Sequence, residues 1–268
     1  MADPTTYNRS DESVLFNFQD SVADICLNRP EKLNALDNRM MANLDAQLDA
    51  AEQMGARALL LRGAGRAFCA GRDLGGANPM EEDARAILAE QINPLVSRIA
   101  SLPIPTFAAV HGACMGAGLG IAFACDVIYA ADDAVIGSPF ANIGAVLDSG
   151  GHYFLTQRIG PHRTLELVYT AKMLSGRQAA DWGLVNKSVA RTKLFDIVYQ
   201  LALSAAKGPT AAFAYSKQIL TNLSSGPVTL EHALELEAEA QGEASRTHDY
   251  REGITAFQEK RRPQFLGR

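Results

Sequence analysis

Two small-residue turns, each placed directly after an apolar run of strand length, set the strongest limit on how this chain can fold. The first is Phe68-Cys69-Ala70-Gly71-Arg72-Asp73-Leu74, and the second runs from His111 through Gly112, Gly116 and Gly118 to Gly120. Strands that end in tight turns and lead into helices are the repeating joints of an α/β fold. Backbone amides at two such joints can also aim at one point. Fixed amide dipoles there stabilise a carbonyl oxygen that gains negative charge, without reorganising during the reaction. The pattern reads first as that of an enzyme.

The remaining periodicities fill in the fold. Val14–Phe18 and Val22–Leu27 flank Gln19-Asp20-Ser21 with near-alternating apolar residues, which predicts a hairpin. Met41, Leu44, Leu48 and Ala51 recur at helical spacing between Asn38 and Gly55. Ala56–Arg62, Thr106–Val110 and Asp126–Ala131 read as buried strands. A helix is expected over about Glu81 to Ser101, ended by Pro103 and Pro105. Helices are further expected over Ser149–Ile159, His162–Ala171, Gly176–Trp182, Ala190–Lys207, Ala211–Asn222, Leu230–Ser245 and Asp249–Lys260. The expected architecture is a series of stacked ββα units over residues 1–200, with a C-terminal helical region over 201–268. The stripe Leu230, Ala233, Leu234 and Ala238 predicts a face that covers a core or a subunit contact.

Composition narrows the partners. The 268 residues carry 25 Lys and Arg against 30 Asp and Glu, with no basic run to track phosphates, so no nucleic-acid partner is expected. The opening Met1–Tyr7 has neither the basic start nor the apolar stretch of a signal peptide, and no apolar segment reaches spanning length, so the expected location is the cytoplasm and no membrane contact is expected. Cys26, Cys69, Cys114 and Cys125 lack metal-like spacing and sit on apolar stretches, which predicts buried free thiols and no metal site. Gly116, Gly118 and Gly120 miss the dinucleotide pattern, because Ile121 stands where its third glycine belongs.

Asp148 is the acidic candidate. It follows the apolar run Ala145-Val146-Leu147 and precedes a helix, so it reads either as a helix N-cap or as a proton-transfer group whose apolar surroundings raise its pKa. His111 and His152 sit beside glycines at element boundaries, where a structural role competes with acid or base chemistry. No Ser or Cys triad presents itself.

From Val14 to Arg268 the chain resembles the crotonase, or enoyl-CoA hydratase/isomerase, superfamily, and several motifs fall in order. Asn28–Leu36 looks like the family's early coenzyme A contact loop, Gly63–Leu74 like its first oxyanion-hole loop, and Gly116-Ala117-Gly118 like its second. The resemblance implies a spiral of stacked ββα units, amide donors at Ala70 and Ala117, and coenzyme A contacts from Lys32, Leu33, Asp73, Phe257 and Lys260. It also implies a homotrimer or a dimer of trimers, an acyl-CoA substrate, and no bound metal or redox cofactor. Family hydratases handle water with two glutamates, whose positions here hold Gly120 and Phe140, so the hydratase reading weakens. Asp148 matches the catalytic aspartate of several relatives, and its surroundings most resemble the phenylacetate-pathway isomerase group. Phe140 replaces the tryptophan that the related dehalogenases carry. The expected activity is double-bond isomerisation with Asp148 as proton shuttle. The alternatives are a hydratase with an atypical water site, and a noncatalytic acyl-CoA binding protein in which Asp148 is only a cap.

Overall fold

A computed structural model describes residues 12–75, 82–224 and 229–268. The expected start of a helix at Glu81 therefore lies outside the described residues. The hairpin forms as β1 (Val14–Gln19) and β2 (Val22–Leu27), paired antiparallel from Val14–Leu27 to Gln19–Val22. Helix α1 (Asn38–Gln53) starts where the Asp37 carboxylate accepts the Met40 amide at 2.7 Å. Its buried stripe is Met40, Met41, Leu44, Leu48 and Ala51, the predicted face with one addition. Strand β3 (Ala58–Gly63) then pairs in parallel with β2. Leu59, Leu60 and Leu61 are consecutive and fully buried, as in a parallel strand covered on both faces.

The helix expected from Glu81 to Ser101 is built in three pieces: α2 (Ala84–Ile87), a π-helical turn over Leu88–Ile92, and α3 (Asn93–Ser101). Pro94 supplies a reason. It has no amide to donate back along an α-helix, and the Asn93 amide reaches Leu88 instead of the residue four back. Strand β4 (Thr106–Val110) follows, then β5 (Ala113–Met115), α4 (Ala117–Phe123), β6 (Val127–Ala131) and β7 (Val135–Gly137). Helix α5 (Gly151–Thr170) breaks at Gly160 and Pro161, between the two segments read from the sequence. After β8 (Leu174–Ser175) come α6 (Gly176–Asp181), β9 (Lys187–Val189), α7 (Arg191–Ala206), α8 (Thr210–Ser224), α9 (Leu230–Ala244) and α10 (His248–Gln258).

The strands form a six-stranded sheet in the order β1-β2-β3-β4-β6-β9, parallel from β2 onward, and a three-stranded sheet in the order β5-β7-β8. Helix α7 packs on β3, β4 and β6. Residue 200, the division read from the sequence, falls inside it. Strand β5 lies within the second small-residue turn and pairs with β7 in register Cys114–Ile136. Three residues leave too short a period to recognise among glycines. The four cysteines are free and buried. No helix among the described residues is long and apolar enough to cross a membrane.

The C-terminal region is strapped by its own tail. Asp249 is buried, and its carboxylate accepts the Leu266 and Gly267 amides at 2.7 and 2.6 Å. From the other side Arg57 donates to the Phe265 carbonyl at 3.0 Å and the Gly208 carbonyl at 2.6 Å. Asp249→Ala is expected to destabilise the fold by roughly 3 kcal/mol, because two shielded amides lose a charged acceptor. Urea unfolding checks this, and an unchanged midpoint would mean that the tail does not hold α10. Leu230 and Leu234 are more than half exposed, so these two residues of the α9 stripe cover no core among the described residues.

Candidate active site

The two turns meet. Cys69 pairs with Cys114 as an isolated parallel bridge: the Cys69 amide donates to Ala113 at 2.9 Å, and the Met115 amide donates to Cys69 at 3.0 Å. On the opposite edge Arg72 bridges to Leu36, with the Leu36 amide on the Gly71 carbonyl at 2.8 Å. The first turn is therefore threaded between the Leu33–Leu36 loop and β5.

This threading decides which amides are free. The Ala70 amide donates to the Leu33 carbonyl at 3.0 Å. It is committed to the loop, which corrects the expectation that Ala70 offers a donor to a ligand. Two residues on, the Arg72 amide has no acceptor among the described residues. A trans peptide points its N–H opposite its carbonyl. The Gly71 carbonyl faces Leu36, so the Arg72 amide faces away from it. Gly71 makes the reversal with φ 99°, in a region closed to most side chains. A Cβ on Gly71 would lie 2.9 Å from the Met115 carbonyl and 3.7 Å from the Ala117 nitrogen. The sequence displays the glycine but not its φ, and ordinary strand alternation would misplace the free amide.

Ala117 is the first residue of α4, after Gly116 at φ 51° and ψ −123°. Its amide has no acceptor among the described residues, as befits the first turn of a helix, where the positive dipole end also lies. The Phe140 ring covers Gly116, 3.2 Å from where a Cβ would stand.

Asp148 sits half-buried on the turn before α5. The helix N-cap is Gly150 and carries no side-chain cap bond, so the cap reading of the Asp148 carboxylate does not hold. Its Oδ1 accepts the Ser149 hydroxyl at 2.7 Å. Burial raises its pKa above the ordinary carboxylate range, while the Ser149 hydrogen bond and the positive charge of Arg72 pull the other way. The Arg72 guanidinium is held in a two-pronged pair with Glu82.

Gly120 has a second meaning beyond a missing carboxylate. A Cβ there would overlap the Ser149 carbonyl oxygen and lie 2.6 Å from the Ser149 Cβ. The turn that carries Asp148 therefore occupies the space into which a glutamate at 120 would project. Gly120→Ala is expected to cost roughly 2 kcal/mol or more through overpacking and to displace Asp148. Thermal unfolding and activity of the variant check this; wild-type values in both would show that the contact yields freely.

The loop expected to meet coenzyme A is ordered by residues the sequence did not single out. Fully buried Asn34 accepts the Arg29 amide at 2.8 Å and donates to the Ala64 and Ala67 carbonyls at 3.0 and 2.7 Å. Arg29 pairs with Asp37 and Asp73, each at 3.0 Å. Asp73 also accepts the Gly75 amide at 3.0 Å, and these donors hold its pKa below the ordinary value. Lys32 is exposed, and Leu33 ends the short 3₁₀ turn Pro30–Lys32 in a left-handed conformation. Phe257 is 84% exposed and Lys260 is also exposed. The single chain thus brings Leu33, Ala70 and Arg72 together but leaves Phe257 and Lys260 facing outward. His111 serves the framework: its ring bonds the Gly65 carbonyl at 3.1 Å and its own carbonyl accepts the Phe68 amide at 2.7 Å.

Comparison with known proteins identifies the family. The family model described as enoyl-CoA hydratase/isomerase matches residues 17–268. A probable enoyl-CoA hydratase of Rhodobacter capsulatus is 38% identical over 96% of this chain and 98% of its own length. The 1,2-epoxyphenylacetyl-CoA isomerase of Escherichia coli is 37% identical over 96% and 99%. Among solved structures, an enoyl-CoA hydratase/isomerase of Mycobacterium abscessus superposes with a TM-score of 0.88 at 33% identity, covering 95% of this chain and 100% of that one. Matches of this extent in sequence and in architecture have one reading, that this chain belongs to the enoyl-CoA hydratase/isomerase family and has its crotonase fold.

Proposed function

We propose that this enzyme is an acyl-CoA isomerase that shifts a double bond through an enolate. The thioester carbonyl binds between the amides of Arg72 and Ala117, and Asp148 takes a proton from one carbon and returns it to another. The observation that supports isomerisation over hydration is the packing at Gly120, where the Asp148 turn fills the space that a glutamate would need. Water addition requires one group to activate water and one to protonate carbon, whereas a shuttle needs one carboxylate that ends each cycle as it began. Burial raises the pKa of Asp148 above the ordinary carboxylate value, which makes its carboxylate a stronger base towards a carbon acid.

The substrate is an acyl-CoA, and coenzyme A is held by Lys32, Leu33 and Asp73, with Phe257 and Lys260 reaching it from a neighbouring subunit of a homotrimer or a dimer of trimers. The exposure of Phe257, Leu230 and Leu234 suits that assembly. The enzyme uses no metal or redox cofactor and works in the cytoplasm, without nucleic-acid or membrane partners. Product analysis by chromatography after incubation with 3-enoyl-CoA and 2-enoyl-CoA thioesters tests the activity. Interconversion of the two double-bond isomers is expected; a 3-hydroxyacyl-CoA as the main product would overturn the isomerase reading.

A further inference from the structure

Beside the site lies a small apolar cavity of about 20 Å³, lined by Leu119, Phe140, Leu147, Leu155, Leu167 and their neighbours. Three of its walls belong to the site. Leu119 is two residues beyond Ala117, Phe140 covers Gly116, and Leu147 precedes Asp148. Among the described residues that line it, only Ser138 has a polar side chain. The Ser138 hydroxyl is buried and has no hydrogen-bond partner among the described residues. Serine commonly stands before a helical turn to cap it, and Ser138 does precede the 3₁₀ turn Pro139–Ile143, yet its side chain makes no cap bond. A shielded hydroxyl without a partner costs free energy. An otherwise apolar pocket with a single placed polar group is also the usual form of a selective binding site.

We infer that Ser138 is a specificity-determining residue whose hydroxyl donates to an oxygen atom carried by the substrate's acyl group, so that the enzyme takes compact, oxygen-bearing acyl thioesters in preference to plain hydrocarbon ones. The inference rests on the proposed placement of the thioester at Arg72 and Ala117, with the acyl group running past Phe140, whose ring covers Gly116 and also lines the cavity. The cavity admits only the tip of a chain or the edge of a ring. A long unbranched acyl chain finds no room in it, and an ether or hydroxyl oxygen at the tip finds a donor.

The test is a ligand-by-variant cycle that needs no turnover. Dissociation constants are measured by calorimetry for hexanoyl-CoA and for its isosteric ethers, with oxygen in place of C4 or C5, on the wild-type enzyme and on Ser138→Ala. The ratio of hexanoyl to ether affinity is expected to change by roughly fivefold between the two proteins for one of the ethers, the ether losing its advantage in the variant. A general loosening of the fold by Ser138→Ala weakens all ligands alike and cancels in that ratio. Equal ratios in both proteins overturn the inference, including the case in which Ser138 merely holds a water. Isomerisation of 3-hexenoyl-CoA by the same wild-type preparation is scored separately: binding with the expected ratio but no isomerisation would overturn the proposed activity and leave Ser138 in its role. Failure of every thioester to bind would overturn both.

Discussion

Asp148→Asn is expected to lower the isomerisation rate roughly 10³-fold while leaving the affinity for a saturated acyl-CoA within a few fold of wild type. Asparagine keeps an oxygen for the Ser149 hydroxyl and nearly the same shape, but it cannot take a proton. The base is the ionised carboxylate, so kcat/KM of the wild type should rise with pH through a pKa higher than the ordinary aspartate value and then level off. The same shift fixes the effect on stability. Burial raises the folded-state pKa above the unfolded one, so the stabilising contribution of this group is complete below the unfolded pKa and is lost as pH rises through the folded pKa. Above the folded-state pKa the charged carboxylate therefore weakens the fold, and in that range the Asn variant should melt at or above the wild-type temperature. Calorimetric melting beside steady-state kinetics checks both halves. An inactive variant that also melts several degrees lower would point to a structural role instead.

Ala117→Pro should reduce kcat by about 10²- to 10³-fold with little loss of fold. The reasoning depends on position. Ala117 opens α4, and the first helical residue is where proline is best tolerated, because its amide has no intrahelical partner there. Proline thus removes one of the two N–H groups proposed to meet the thioester oxygen, without breaking a helix bond. Ala117→Gly keeps the amide and should retain activity within a few fold. Helical circular dichroism together with kcat for both variants distinguishes loss of the donor from loss of the helix; equal activity in all three proteins would remove Ala117 from the site.

Much of this arrangement was legible in the chain because its signals are local. The hairpin, the face of α1, the break at Gly160 and Pro161, and the parallel strands β3 and β4 each follow from periodicity or from a proline or glycine at a boundary. What was not legible depends on distant partners. The commitment of the Ala70 amide to Leu33, and the release of the Arg72 amide, follow from how one extended segment threads between two others and from the φ of Gly71. Motif matching located the turn but not the peptide that faces inward. Asp148 was weighed as a cap because a carboxylate before a helix usually is one; here Ser149 and Gly150 both take positive φ, and the cap position falls to Gly150. Asn34, Arg29 and the tail clamp at Asp249 escaped notice for a related reason. Buried polar residues declare themselves only once the carbonyls and amides they satisfy are in place, and those come from segments far along the chain.

In the proposed reaction one carboxylate moves a proton between carbons of a thioester whose enolate rests on two backbone amides. Its most direct test is mass spectrometry of the product formed from 3-hexenoyl-CoA in deuterated water. The expected product is a conjugated isomer with no added water, in which some molecules carry deuterium at the carbon that Asp148 reprotonates, the fraction reflecting how often the protonated carboxyl exchanges before it returns its proton. Addition of a molecule of water, or an intact thioester that binds and is recovered unlabelled and unmoved, would contradict it.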